Sequence, residues 1–444
     1  MSQRRSDQQR RRAQRQRRSR KADTDAELAS RMSKMAHIAE QQARALDDVL
    51  AAELWASRLV GAWPNSGDRR AAGVDERALP EFVKALEKHA TAGALTTLRA
   101  MTGVGVTAHR RLAAAAGDRL AAGGLPEPAW ASQVGQARAT VALLLCEEIF
   151  NDAATLEIEF EGPGFPTHTL GVVINHNLCG ALTAAGLLAQ EESGWGDSTP
   201  TQRFVARELG LGEAGVRLRR ALEIHDQLPE LPADESVGRL RAFIKARLGA
   251  LPDGPALSEP PPPTARERRA LQADFLSSPE GTRWRGEKAA EEAVEIAIAY
   301  GCLESPGDPL RWSPTAILLF MCSWVPNMVL GEPASLRRVA DVLPDWIAYA
   351  CRRRGGVPDA AIGIVLSEVE RCRGDMLELL DDASRCTPAQ DLAIDAGSAG
   401  IDVSDPEACG EFLARWNAER QAEQWLSASA GTAGPGARPR RRCA

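Results

Sequence analysis

The residues best suited to chemistry lie in one stretch, Asn175-His176-Asn177-Leu178-Cys179-Gly180. It closes a run with a two-residue period, so His168, Leu170, Val172, Ile174 and His176 share one strand face while Asn175 points the other way. A strand end leading into a helix start presents free N–H groups, where polar ligands gather. His176 there can serve as a general base or a ligand. Glu148 and Asp152, with Glu147, supply carboxylates if the apolar run 139–145 forms a strand alongside. On this hydrolase-like reading the catalytic set is His176, Glu148 and Asp152. On the structural reading His176 is a hydrogen-bonded core imidazole and Asn177 caps the helix expected next. His176 and Cys179 offer two metal ligands with nothing nearby to complete four, so neither a metal nor a cofactor is expected.

Other signatures fail on composition. Thr102-Gly103-Val104-Gly105 lacks the lysine of a phosphate loop and the spacing of a dinucleotide fingerprint. No GxSxG elbow, HExxH pair or kinase set occurs. Glu157, Glu159 and Glu161 read as a solvated strand face, and His225-Asp226, before Pro229, as surface.

Charge is segregated along the chain. Residues 1–21 hold ten Lys or Arg against Asp7, giving +9, and 438–444 add +4. With a net charge of −6 for the whole, the body carries −19. Such a body repels polyanions, so any nucleic-acid contact falls to the arm: Arg10, Arg11, Arg12, Arg15, Arg17, Arg18, Arg20 and Lys21. The arm is too polar to repay the entropy of ordering and is expected to be disordered, as is 428–444. An Arg-rich end can equally be a mere solubilising segment.

Nine cysteines without a CxxC pair suit a reducing cytoplasm. No apolar core follows the N-terminal arginines, so no signal peptide is expected. The segment 312–331 is uncharged for 20 residues, yet Pro314, Pro326 and Asn327 interrupt it. It reads as a buried helix ending before Pro326, not as a membrane span.

These elements set the fold class: mainly α (α+β), with helical N- and C-terminal regions around a small antiparallel β-hairpin or three-stranded sheet. A long helix is expected over 23–61, with Leu28, Met32, Met35, Ala39, Gln42, Leu46 and Val49 in a seam that packs on its own chain or joins a homo-oligomer. Shorter helices follow to about 122. Strict alternation over 155–161, the turn Gly162-Pro163-Gly164 and a return over 167–175 predict the hairpin, with 139–145 beside it. Helices are then expected at 178–189, 200–225 and 235–249. Pro-rich 251–264 divides a domain of 22–250, with its β insert at 139–176, from a helical domain of 265–427 whose last helix spans 406–427.

Three motifs carry a resemblance: Leu54-Trp55-Ala56-Ser57, Val173-Ile174-Asn175-His176-Asn177-Leu178-Cys179-Gly180, and Gly400-Ile401-Asp402-Val403-Ser404-Asp405-Pro406. With the basic start, they make the chain resemble a family of actinobacterial proteins to which no activity is attached. That family's hairpin end is closer to DHNLGG, from which Asn175 and Cys179 depart. The resemblance implies no site residue. The first expectation is therefore a non-enzymatic binding or scaffolding protein that holds nucleic acid through its arm. The alternatives are a hydrolase at His176 and a homo-oligomeric structural protein joined through 23–61.

Overall fold

The computed structural model describes residues 25–61, 77–188, 203–228, 233–257, 263–303, 307–329, 333–382 and 395–401, with positions 261, 392, 412 and 415. The basic arm with Arg10 to Lys21, the tail 428–444 and nearly all of 406–427 lie outside these residues. The chain divides into two compact units. The first comprises 1–146, 153–197 and 204–259; the second comprises 147–152, 198–203 and everything from 260 onward.

The expected long helix is two helices in the first unit. α1 covers 25–43 and α2 Val49–Gly61. Turns at Ala45 and Leu46 break the ladder, and Asp48 caps the restart by accepting from the Ala51 amide at 2.7 Å. The Leu46 carbonyl, freed by the break, accepts from the Trp130 indole at 3.0 Å. The seam turns inward: Met32, Ala39 and Val49 are buried in the unit's core, with Leu28, Met35 and Leu46 packed against it. Gln42, its polar interruption, accepts from the Trp55 indole at 3.1 Å. α3 (Ala78–His89), α4 (Ala92–Met101) and α5 (Thr107–Ala122) complete this helical block.

The molecule is mainly helical, and its sheet is larger than expected: five strands ordered β4-β3-β2-β1-β5. They are β1 (Arg138–Glu147), β2 (Ala153–Gly162), β3 (Phe165–Asn175), β4 (Ala181–Leu188) and β5 (Phe204–Glu208). β1, β2 and β3 lie where alternation put them, antiparallel, with Phe160 opposite His168 and Leu156 opposite Val172. Two expected helices give way to strands. The segment 178–189 is Ala- and Leu-rich and reads as helix, yet it pairs with β3 as β4, since strand preference is decided by neighbours more than by composition. β4 also meets the start of the helix α7 (Glu235–Leu248): the Asp234 amide donates to the Thr183 carbonyl at 2.8 Å and the Ala185 amide to Ser236 Oγ at 3.2 Å. Those bonds satisfy an otherwise bare sheet edge. The expected helix 200–225 begins only at Leu211, as α6 (Leu211–Gln227), after β5.

Glu157 is buried instead of solvated, in register with Leu143 of β1 and Gly171 of β3. His225 is also buried, its Nδ1 donating to the Leu182 carbonyl at 2.7 Å, while Asp226 pairs with Arg241 at 2.6 Å and Lys245 at 3.3 Å.

From residue 265 onward, the described elements of the second unit are helices. Thr264 and Glu267 form a reciprocal capping box that starts α8 (Ala265–Ser277) after the proline-rich segment. α9 (Lys288–Leu303), α12 (Pro333–Arg354) and α13 (Asp359–Asp381) surround an aromatic core containing Phe275, Trp312, Phe320 and Trp346. The uncharged stretch forms α10 (Pro314–Leu319), a π-helical turn over Phe320–Trp324 and α11 (Val325–Met328). The helix therefore runs past Pro326. The widened turn loosens the ladder where proline's missing N–H and bulky ring would otherwise break it. No helix among the described residues is long and apolar enough to cross a membrane.

Candidate functional site

His176 opens a single 3₁₀ turn, His176–Leu178, and is half-buried. The turn is capped by Asn175, whose side chain accepts from the Asn177 amide at 2.9 Å; Asn177 itself caps no helix. Cys179 at φ 56° and Gly180 at φ 80° then reverse the chain into β4. The expected acids belong to the second unit. Glu148 forms an ion pair with Arg203 at 2.6 Å. Asp152 accepts from the buried Arg311 and from Ser313 Oγ, each at 2.6 Å. Glu147 takes the amides of Ile149, Phe150 and Asn151 at 2.6–2.9 Å, and Arg311 Nε donates to the carbonyls of Phe150 and Asn151. Segment 147–152 is thus held by its own acids, Glu147 through backbone amides and Glu148 and Asp152 through side-chain partners.

A different trio in the first unit has the connectivity of a catalytic relay. Ser33 and Glu40 lie seven residues apart on α1, two turns along one face. His89, the last residue of α3, bridges them. Its Nδ1 is 2.5 Å from Glu40 Oε1 and its Nε2 3.0 Å from Ser33 Oγ. An ionised carboxylate only accepts, so in the neutral ring the proton sits on Nδ1, and Nε2 presents its lone pair to the Ser33 hydroxyl. Glu40 is 4% exposed, His89 23%, and Ser33 half-buried, so the trio runs from interior to surface.

The packing that holds Glu40 is built from α4. Thr91 is that helix's N-cap: its hydroxyl accepts from the Ala94 amide at 3.0 Å and donates to Glu40 Oε2 at 2.7 Å. A Cβ on Gly93 would stand 2.7 Å from the Glu40 carbonyl oxygen, so glycine there is what lets the two helices approach. The positive end of α4 stabilises the buried carboxylate.

A second buried constellation is sealed. Arg247 of α7 pairs with Glu53 of α2 at 2.7 Å, the two side chains being 2% and 0% exposed. Its Nε donates to His168 Nε2 at 3.2 Å, while His168 Nδ1 donates to the Pro166 carbonyl at 2.8 Å. The guanidinium lies over Phe243 at 4.1 Å, with Phe165 and Phe160 farther out at 5.3 and 5.5 Å. Glu53 Oε1 takes the Gly135 amide at 2.8 Å and passes so close to Gly103 that a Cβ there would clash. Burial, opposed by the Pro166 carbonyl and aided by Arg247, pushes His168 down to about 4. His168 is thus the core imidazole that the strand pattern suggested for His176.

Ser33, His89 and Glu40 were not legible as a site. Ser33 and Glu40 do share a helix face, but His89 is 56 and 49 residues away, and only packing of α3 on α1 joins them. Among the described residues no group of three or more His, Cys, Asp or Glu side chains is placed to hold a metal ion. No family model, no curated protein and no solved structure matches the chain.

Proposed function

We propose that the first unit carries an acyl-transfer centre of the serine hydrolase type, with Ser33 as nucleophile, His89 as general base and Glu40 as the carboxylate that orients it. The observation that supports this reading is the hydrogen-bonded line from Ser33 Oγ through both His89 nitrogens to a buried carboxylate. A hydroxyl is a weak nucleophile until an adjacent base takes its proton, and that base must be held in one tautomer and orientation. Glu40 does both, and Thr91 prevents it from turning away. When Ser33 Oγ attacks an ester carbonyl, its proton passes to His89 Nε2 and the imidazolium pairs with Glu40. The same proton then returns to the leaving alkoxide.

Ser33 sits in mid-helix, so its own amide is committed to the helix ladder and does not serve an oxyanion. The proposed power is that of general-base activation, about 10²–10⁴-fold. The test is incubation of the full chain with a fluorophosphonate and with p-nitrophenyl acetate, followed by peptide mapping. An adduct on Ser33, lost in His89→Gln, is expected. Absence of any Ser33 adduct, or equal labelling in His89→Gln, overturns the reading.

Charge segregation supports a second reading, in which the protein binds a polyanion such as nucleic acid through its +9 arm, in the cytoplasm that its cysteine usage suits. Deleting residues 2–21 should abolish binding to duplex DNA or RNA at low salt, and binding by the full chain should weaken steeply as salt rises. Equal affinity without the arm, or no binding by either form, removes it.

A further inference from the structure

The Ser33 hydroxyl has a base beside it, but its own amide is spent on the helix ladder, so a donor for an oxyanion has to come from a side chain. A second imidazole stands next to it on α1. His37 lies one turn on from Ser33, a spacing that puts the two Cβ atoms about 5–6 Å apart on the helix surface. Counted round the axis, Glu40 falls about 20° to one side of Ser33 and His37 about 40° to the other. Glu40 is buried and His37 exposed. His89 bonds to both Ser33 and Glu40, so it approaches from the inner side, and His37 flanks the hydroxyl on the outer side, where a substrate arrives.

Helical side chains lean toward the N-terminus, each covering the turn before its own. His37 therefore leans over the turn of Ser33, and Gln41 leans over His37. The second of these meetings is a hydrogen bond, with Gln41 Nε2 at 2.9 Å from His37 Nε2. An amide NH₂ only donates, so His37 Nε2 accepts and the neutral ring carries its proton on Nδ1. That N–H has no hydrogen-bond partner among the described residues.

On the acyl-transfer reading of Ser33, we propose that His37, fixed by Gln41, is a further catalytic residue whose Nδ1–H donates to the oxyanion. As the bond from Ser33 Oγ to the acyl carbon forms, the carbonyl π pair moves onto its oxygen and the Ser33 proton passes to His89 Nε2. The His37 N–H holds the charged oxygen. Collapse restores the C=O bond, breaks the bond to the leaving alkoxide and delivers the proton from His89 to it. His37 keeps its own proton throughout, so one imidazole moves a proton while the other holds a charge. A buried oxyanion donor is worth about 10²–10³ in rate, and one that competes with water is worth less, here about tenfold.

The full chain, as wild type, His37→Ala, His37→Gln and His89→Gln, is mixed with p-nitrophenyl acetate and with its thionoester, and acylation of Ser33 is followed by peptide mapping. Sulfur accepts a hydrogen bond poorly, so a group that acts on the oxyanion matters for the oxygen ester and hardly for the thionoester. His37→Ala is expected to acylate about tenfold more slowly with the oxygen ester and at nearly the wild-type rate with the thionoester. His37→Gln, which keeps an N–H donor, should recover part of the loss. Thermal melts of both His37 variants should match the wild type, because the residue is exposed. A Ser33 adduct that is lost in His89→Gln but forms at equal rates in wild type and His37→Ala overturns the role of His37 alone. Equal slowing with both esters also overturns it. No Ser33 adduct in any form removes the acyl-transfer reading, and the role of His37 with it.

Discussion

Two acid–base constellations in the first unit use nearly the same parts and differ in where they end. In one, Glu53 and Arg247 meet beneath three phenylalanine rings with His168 as third member, and the Arg247 and Glu53 side chains are at most 2% exposed. In the other, Glu40 is nearly as deeply buried, but the line leads through a partly exposed His89 to the half-buried Ser33 of α1. The sealed group has no route for a substrate, so its chemistry is spent on holding α2, β3 and α7 in register. The open one pairs an oriented, partly exposed base with a half-buried hydroxyl. Titratable residues are therefore not informative by type alone; the path from the carboxylate to water is what separates a strut from a reactive group.

The comparison breaks most visibly at Arg247. Arg247→Ala leaves the Glu53 carboxylate buried with the Gly135 amide as its remaining polar partner, and removing one member of a buried pair costs about 3–5 kcal/mol. Urea denaturation should show this as a lower midpoint with an unchanged slope. The double variant Glu53→Gln with Arg247→Met keeps an acceptor for Gly135 and removes both charges, so it should be less damaging than Arg247→Ala alone. A double variant as unstable as the single one would mean that the charge pair itself is indispensable to the core.

His168 sharpens the contrast through pH. Its pKa in the fold is about 4 against an ordinary 6.5, so below 6.5 the unfolded chain binds a proton that the folded chain refuses. Stability from this group is complete above about pH 6.5, is lost as pH falls from there toward 4, and levels off below. The full loss is roughly 2–4 kcal/mol. His168→Gln should be less stable at pH 7 but flatter between pH 6.5 and 4, and the gap between its Tm and that of the wild type should narrow on acidification. Parallel curves would show that His168 is not the group responsible.

The sequence carried the sheet's centre because strict alternation in β2 and β3 has one physical solution, with Leu156, Ile158 and Phe160 facing a core. It did not carry β4, whose alanines and leucines favour a helix in isolation and become a strand only beside β3 and under α7. The break in the first helix left a local trace in Asp48, a capping residue between the seam positions Leu46 and Val49. The open relay left almost none. Ser33 and Glu40 are ordinary surface-type residues of an amphipathic helix until α3 brings His89 between them, and contacts across 49–56 residues are written in tertiary packing, not in spacing. The attention drawn to His176 came from a true feature, the face it continues, but the member of that face with an imidazole in the core is His168.

The smallest expected effect is the most discriminating. Ser33→Ala removes one hydrogen bond at the solvent end of the open relay, which is worth about 0.5–1.5 kcal/mol net where water cannot replace it and less where it can. Alanine is also the better helix former by up to about 0.5 kcal/mol, which offsets part of that loss in α1. The variant should therefore melt within about 1 kcal/mol of the wild type while losing all adduct formation at position 33. Glu40→Ala is the control, because it strands the His89 Nδ1–H and the Thr91 hydroxyl in a poorly hydrated place, at about 1–3 kcal/mol. If Ser33→Ala were instead as destabilising as Glu40→Ala, the hydroxyl would be a structural member of a closed network. The distinction between the sealed and the open constellation would then collapse into two struts of different depth.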